Sequence, residues 1–260
     1  MLLKNKNAII YGAGGSLGGA VAKAMAAAGA RVFCTGHRLE SVQQTAEDIL
    51  KAGGKAEVDV IDAFDAAAIE SHIKKVKQVD ISFNAAGVAV KQDVPLIELR
   101  PEEFVDPITQ TMRTEFLTAT AAGRVMKQQG SGIILFLTAT PGGIGYPYTG
   151  GFAAACCALE SFSRNLALEL GVYGIRVATM RSGGSIDSNI FKSALESDPE
   201  NVVPVIRQME KDTALKRMPV MADIANTAVF LASDMAAMIT GVTIDVTGGT
   251  TAGMGYRVHE

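Results

Sequence analysis

The chain has 260 residues, 48% hydrophobic and 20% charged, with a formal net charge of −3; this is the composition of an ordinary soluble globular protein, long enough for one α/β domain of roughly 250 residues. No basic run is present to neutralise phosphates, so a nucleic-acid partner is not expected. No apolar run reaches the roughly 18 residues of a membrane span, and Met1 to Lys6 lead into a strand-like run rather than a signal peptide, so no membrane partner is expected either.

In chain order, short β-branched runs alternate with longer helical stretches. Residues 7–11 read as a strand and about 17–28 as a helix. A strand at 31–35 precedes a helix at about 39–52, and strands follow around 56–60 and 79–84. After an irregular stretch come a long helix at about 101–128, an apolar strand at 132–138, a helix at about 152–171 and a strand at 175–180. The last helix is expected at about 222–232 and the last strand at 243–246. Strands separated by helices of 10–15 residues predict βαβ units, and near-continuous apolar strands such as Ile133-Ile134-Leu135-Phe136-Leu137 predict a sheet covered on both faces. The expected fold class is α/β: a Rossmann-type, doubly wound parallel sheet in three α/β/α layers, forming a single domain over 1–260. The polar segment at about 188–213 is the one long excursion, placed where an active-site lid belongs.

Three cysteines, Cys34, Cys156 and Cys157, make a poor disulfide framework and a poor metal site; they read as reduced thiols in a cytoplasmic protein. His37, His72 and His259 are too scattered to suggest a metal, and none is expected.

The strongest local motif is Tyr11-Gly12-Ala13-Gly14-Gly15-Ser16-Leu17-Gly18, between the first strand and the first helix. Glycines there permit a tight turn and close approach to a diphosphate, and the helix N-terminus supplies free N–H groups and a positive dipole end. NAD-specific relatives of such folds carry an acid at the end of the second strand to hold the ribose 2′-hydroxyl. Here the strand ends Thr35-Gly36-His37-Arg38, with no acid and with an arginine able to pair a 2′-phosphate, so NADP(H) is favoured over NAD(H).

With these residues in place the chain resembles the short-chain dehydrogenase/reductase family over nearly its whole length. The opening loop is similar to the family's Thr-Gly-x-x-x-Gly-x-Gly, with Tyr11 for the threonine and Ser16 for the middle glycine. Asp59-Val60 resembles the pair that contacts adenine, and Asn84-Ala85-Ala86-Gly87 the strand end beside the cofactor. Ala167 to Leu170, Gly174 to Val177, Phe230 to Asp234 and Ile239 through Gly249 resemble the family's later segments. Ser182-Gly183 stands where the family has Pro-Gly, and with one extra residue the positions flanking the nicotinamide fall on Ile186 and Ser188. The resemblance implies a nicotinamide cofactor, a small-molecule substrate, and a homo-oligomer, tetramer or dimer, pairing the two long helices.

The resemblance also implies a tetrad of asparagine, serine, tyrosine and lysine, and here those positions fall on Thr111, Ala139, Phe152 and Cys156. The tyrosine passes a proton and the lysine lowers its pKa; no lysine occurs between Lys127 and Lys192, which excludes a shifted pair. Tyr146 and Tyr148 are the alternative proton donors, Thr138 and Thr140 the alternative holders of a substrate oxygen, and Arg181 an alternative anion binder. Three functions stay open: an NADP(H)-dependent oxidoreductase with a non-standard site, acting on a small carbonyl, C=C or C=N substrate; a cofactor-binding protein without turnover, serving as sensor or scaffold; and a non-redox isomerase or cyclase.

Overall fold

The computed structural model describes residues 1–253, and His259 lies outside them. Seven strands, β1 (Asn7–Tyr11), β2 (Arg31–Gly36), β3 (Lys55–Val60), β4 (Ile81–Asn84), β5 (Gly132–Ala139), β6 (Ile175–Ser182) and β7 (Val242–Val246), form one sheet in the order β3-β2-β1-β4-β5-β6-β7. Every pairing is parallel. The strand order reverses between β1 and β4, and ligands of such sheets bind in the crevice beyond the carboxyl ends of the strands at that switch point.

Side chains alternate across the sheet, so β1 and β5 feed two cores, one on each face. Ala8 and Ile10 of β1, with Ile133 and Leu135 of β5, pack under α1 (Ser16–Ala27), α2 (Leu39–Lys51) and α8 (Met221–Ala232). Ile9 and Tyr11, with Ile134 and Phe136, pack under α3 (Ala66–Val76), α4 (Pro101–Gln129) and α5 (Gly151–Gly171). This is the double coverage that the apolar β5 run implies. The sheet and its flanking helices make the three-layer Rossmann-type fold expected from the sequence.

Three helices lie where no helix was expected. In α3 the Asp65 carboxylate caps the N-terminus, accepting from the N–H groups of Ala67 at 2.9 Å and Ala68 at 3.0 Å. Its buried stripe is only Ile69, His72 and Ile73, too short to stand out from the surrounding charge. The excursion after β6 is also helical, as α6 (Asn189–Ser197) and α7 (Pro199–Asp212). Neither buries a residue completely; each sets a half-buried apolar stripe, Phe191, Ala194 and Leu195 in α6 and Val202, Val203, Ile206 and Met209 in α7, among exposed polar residues.

Candidate cofactor and active site

The glycine-rich turn between β1 and α1 sits at the switch point and touches both neighbouring strand ends. Ala13 N–H donates to Thr35 O of β2 at 3.0 Å, and Ala85 N–H, just past β4, donates to Tyr11 O at 2.9 Å. Gly12 adopts the left-handed φ of 72°, and a Cβ there would stand 2.6 Å from Ala85 O. Gly18, inside the first turn of α1, lets the helix close onto the loop; its Cβ would lie 2.3 Å from Gly12 O. No side chain caps α1 at Gly15. The helix therefore presents uncapped N–H groups and its dipole towards the crevice, the arrangement that receives a diphosphate. Gly14, Gly15, Ser16 and Leu17 complete this edge, none of them buried.

His37 and Arg38 lie exposed at the end of β2, where Arg38 N-caps α2 and its carbonyl accepts from Ser41 Oγ at 3.0 Å. Asp59 lies near the end of β3. Its carboxylate faces α3, with Oδ1 accepting from Lys75 Nζ at 2.7 Å and Oδ2 lying 3.4 Å from His72 Nε2. Burial pushes the His72 imidazole below its usual pKa, against the pull of Asp59. The carboxylate is thus already partnered, and Val60, 52% exposed, is the member of the pair that offers open surface.

At the end of β4 the Asn84 side chain is buried and fixed: Oδ1 accepts from Ala86 N–H at 2.8 Å and Nδ2 donates to Thr118 Oγ1 at 3.2 Å. Ala85, Ala86 and Gly87 are thereby turned out along the crevice, with Gly87 exposed. Beside Asn84, on α4, lies Glu115, a residue the sequence reading passed over. It is 5% exposed, its Oε2 has no partner, and burial raises its pKa well above the carboxylate range, with the Asn84 amide opposing. A lone Glu in a threonine-rich helix carries no sequence signal of burial.

Beyond β6, Gly183 N–H donates to Val246 O at 3.0 Å, and Ser182 Oγ accepts from Gly184 N–H at 3.2 Å. Ile186 is half-buried and Ser188 buried. Asn189 N–H, the first of α6, donates to Ser16 Oγ at 3.0 Å, which brings this turn onto the glycine loop across 173 residues of chain. Ser185, also missed, is 3% exposed and its Oγ has no partner.

The threonines on β5 and just beyond it are both hydrogen-bonded within the protein. Thr138 continues the inward alternation towards α5 and donates to Glu160 Oε1 at 2.9 Å; Thr140 donates to Ser182 O at 3.3 Å. Each hydroxyl thus has its single proton engaged within the protein. Arg181 is engaged likewise. It donates to both oxygens of Glu160, at 3.0 and 2.7 Å, to Asp245 at 2.5 Å and to Gly142 O at 3.5 Å. The guanidinium ties β6 to α5 and β7 and has little left for an anion.

Ala139 ends β5, and Cys156 packs near its backbone, 3% exposed, with burial pushing its thiol up to about 11. The neutral thiol is neither a cation nor a ready nucleophile. Phe152 is half-buried in the first turn of α5, and Thr111 on α4 has its carbonyl accepting from Thr114 Oγ1 at 3.1 Å. On the loop before α5, Tyr146 is 39% exposed; burial first and Asp212 of α7 second raise its pKa. Tyr148 is 55% exposed and takes a left-handed φ of 61°, held by Asp93 N–H donating to its carbonyl at 2.8 Å. Among the described residues no three His, Cys, Asp or Glu side chains cluster as a metal site.

The fold and this crevice define a protein of the Rossmann type. Comparison narrows it: the family described as enoyl-(acyl carrier protein) reductase matches residues 12–251, and the chain belongs to the short-chain dehydrogenase/reductase family. It is 34% identical over 254 residues to the 3α-hydroxysteroid dehydrogenase of Mediterraneibacter gnavus, covering 95% of this chain and 98% of that one. It is 31% identical over 253 residues to the 3-oxoacyl-(acyl-carrier-protein) reductase FabG of Escherichia coli, covering 96% and 98%. The crystal structure of levodione reductase superposes with a TM-score of 0.88 at 27% identity, covering 97% of this chain and 100% of that one. A structure assigned as an NAD(P)-dependent gluconate 5-dehydrogenase from Beutenbergia cavernae, holding NADP at low occupancy, superposes with a TM-score of 0.85 at 27% identity, covering 96% and 98%.

Proposed function

We propose that this chain is an NADP(H)-dependent oxidoreductase that transfers hydride without the family's tyrosine–lysine proton relay, acting on a small substrate whose C=C or C=N bond is already activated. One juxtaposition carries the reading: an uncapped, glycine-lined α1 N-terminus packed against Asn84-Ala85-Ala86-Gly87 at the switch point, with Phe152 and Cys156 at the positions where the proton chemistry belongs. The nicotinamide supplies or accepts the hydride when bound. This chain's part is to seat the diphosphate on the amides of Gly14 to Gly18, to meet the 2′-phosphate with Arg38 and His37, and to flank the nicotinamide with Asn84, Ser182, Gly183, Ile186 and Ser188. Reduction of a simple ketone needs a proton delivered to the developing alkoxide, which general acid catalysis accelerates by about 10²–10⁴. Phe152 has no such proton. An activated C=C or C=N bond depends on that proton less, and Tyr146, a neutral phenol facing α7, and Tyr148 are the donors left on the substrate side. The 188–213 segment is the lid. The matched family's description as an enoyl reductase agrees with the C=C assignment. The protein is cytoplasmic on this reading and works as a homo-oligomer, for which the exposed Phe116 of α4 and Leu168 of α5 supply apolar surface.

The test is a panel of enones, imines and simple ketones offered with NADPH while the nicotinamide absorbance is followed. The proposal expects oxidation with at least one enone or imine and little with ketones. Tight NADPH binding with no oxidation on any substrate would instead establish a cofactor-binding protein without turnover, the reading favoured by the engaged hydroxyls of Thr138 and Thr140. In the same assay Phe152→Tyr with Cys156→Lys should raise ketone reduction by about 10²-fold or more; a folded double variant that binds NADPH yet stays inert on ketones would show the positions to be misassigned.

A further inference from the structure

The two helices after β6 are held in an unusual way. Neither α6 nor α7 buries a residue completely, and their apolar side chains, Phe191, Leu195, Val202, Val203 and Ile206, are only half-buried. The turn leading into α6 is pinned by polar contacts on two sides. Asp187 Oδ1 accepts from Met221 N–H at 2.8 Å, fastening it to the start of α8, and Asn189 N–H donates to Ser16 Oγ at 3.0 Å, fastening it to the glycine loop. A hydroxyl both donates and accepts. Ser16 Oγ accepts from Asn189, and the Ser16 O–H, which has no acceptor within the protein, stands on the first residue of α1 at the glycine-lined helix end.

We propose that Ser16 is a positioning residue linking the cofactor's diphosphate to the lid: its hydroxyl donates to a diphosphate oxygen and accepts from Asn189, so that dinucleotide binding fastens α6 and α7 over the crevice. This rests on the cofactor reading above. A hydroxyl that donates to an anion becomes a better acceptor, so the Asn189 contact strengthens when the diphosphate is present.

Hydrogen exchange of the 189–212 amides, measured with and without saturating NADPH, tests it. In the unmodified protein NADPH should slow exchange in α6 and α7 by about tenfold. Ser16→Ala should lose that slowing and weaken NADPH binding by about 3–10-fold, the worth of one hydrogen bond. Asn189→Pro removes only the lid's N–H at a helix position that tolerates proline; it should lose the slowing and, because the coupling is reciprocal, weaken NADPH binding by up to about tenfold. Equal slowing in all three proteins, or none in the unmodified protein despite bound NADPH, would overturn the latch and leave the cofactor assignment standing. No binding of NADPH or NADH by the folded, unmodified protein would remove both.

Discussion

At the scale of single residues, two side chains carry most of what is new. Arg38 is exposed at the end of β2 with no acid beside it at the strand terminus, and a charge-assisted contact to a 2′-phosphate is worth about 1.5–3 kcal/mol. Arg38→Ala should therefore raise the Kd for NADPH by about 10–100-fold and leave that for NADH unchanged; equal weakening of both would show that Arg38 does not read the phosphate. Glu115 is the second. Burial raises its pKa, so the folded protein favours the neutral acid. Below the unfolded-state pKa, about 4.3, both states hold the proton and the group costs nothing. As pH rises above that value the unfolded chain releases its proton while the folded one resists, so stability falls with rising pH. Glu115→Gln should accordingly raise Tm at pH 8 and have little effect near pH 4, and a benefit independent of pH would contradict a neutral buried acid. The sequence held no sign of either Glu115 or the Ser16–Asn189 contact, because both depend on segments far apart in the chain meeting at one strand end.

Among elements, the junctions decide the behaviour. Gly12 joins β1 to α1 with a left-handed backbone and with Ala85 O in the space of a Cβ. Gly12→Ala combines both penalties, about 3 kcal/mol, and should lower Tm by roughly 6–12 °C while abolishing dinucleotide binding; a Tm within a degree or two of the original would refute that geometry. The Glu160–Arg181 pair is the second junction, with side chains only 6% and 11% exposed. It fastens α5 to β6, with Thr138 and Asp245 attached. Glu160→Leu leaves Arg181 poorly paired and should cost about 3–5 kcal/mol, whereas Glu160→Leu with Arg181→Met should cost less than the sum of the single changes. Additive costs in denaturant unfolding would mean that the pair does not act as a unit. Sequence reasoning placed Thr138 and Arg181 correctly at strand ends. Their shared partner was not legible, because strand alternation alone does not reveal that Glu160, one helix away, turns towards them.

For the molecule as a whole, the parallel sheet and its switch point were readable because apolar strands and glycine turns are local signals. Ile133 to Leu137 and the Gly12 to Gly18 loop each fix their own conformation. The α6–α7 excursion was legible only as a place, although its apolar residues, Phe191, Ala194 and Leu195 and then Val202, Val203, Ile206 and Met209, recur at helical spacing among charged ones. The candidate site divided the same way: its cofactor half is written in backbone and glycine, while its chemistry depends on Phe152 and Cys156, which show what is missing and not what replaces it. The account as a whole therefore depends on a dinucleotide entering the crevice at the end of β1. Calorimetric titration of the purified, folded chain measures this directly. NADPH should bind saturably in the low-micromolar range, typical of such substrates, and NADH at least tenfold more weakly; absence of heat and of saturation with both dinucleotides would contradict it.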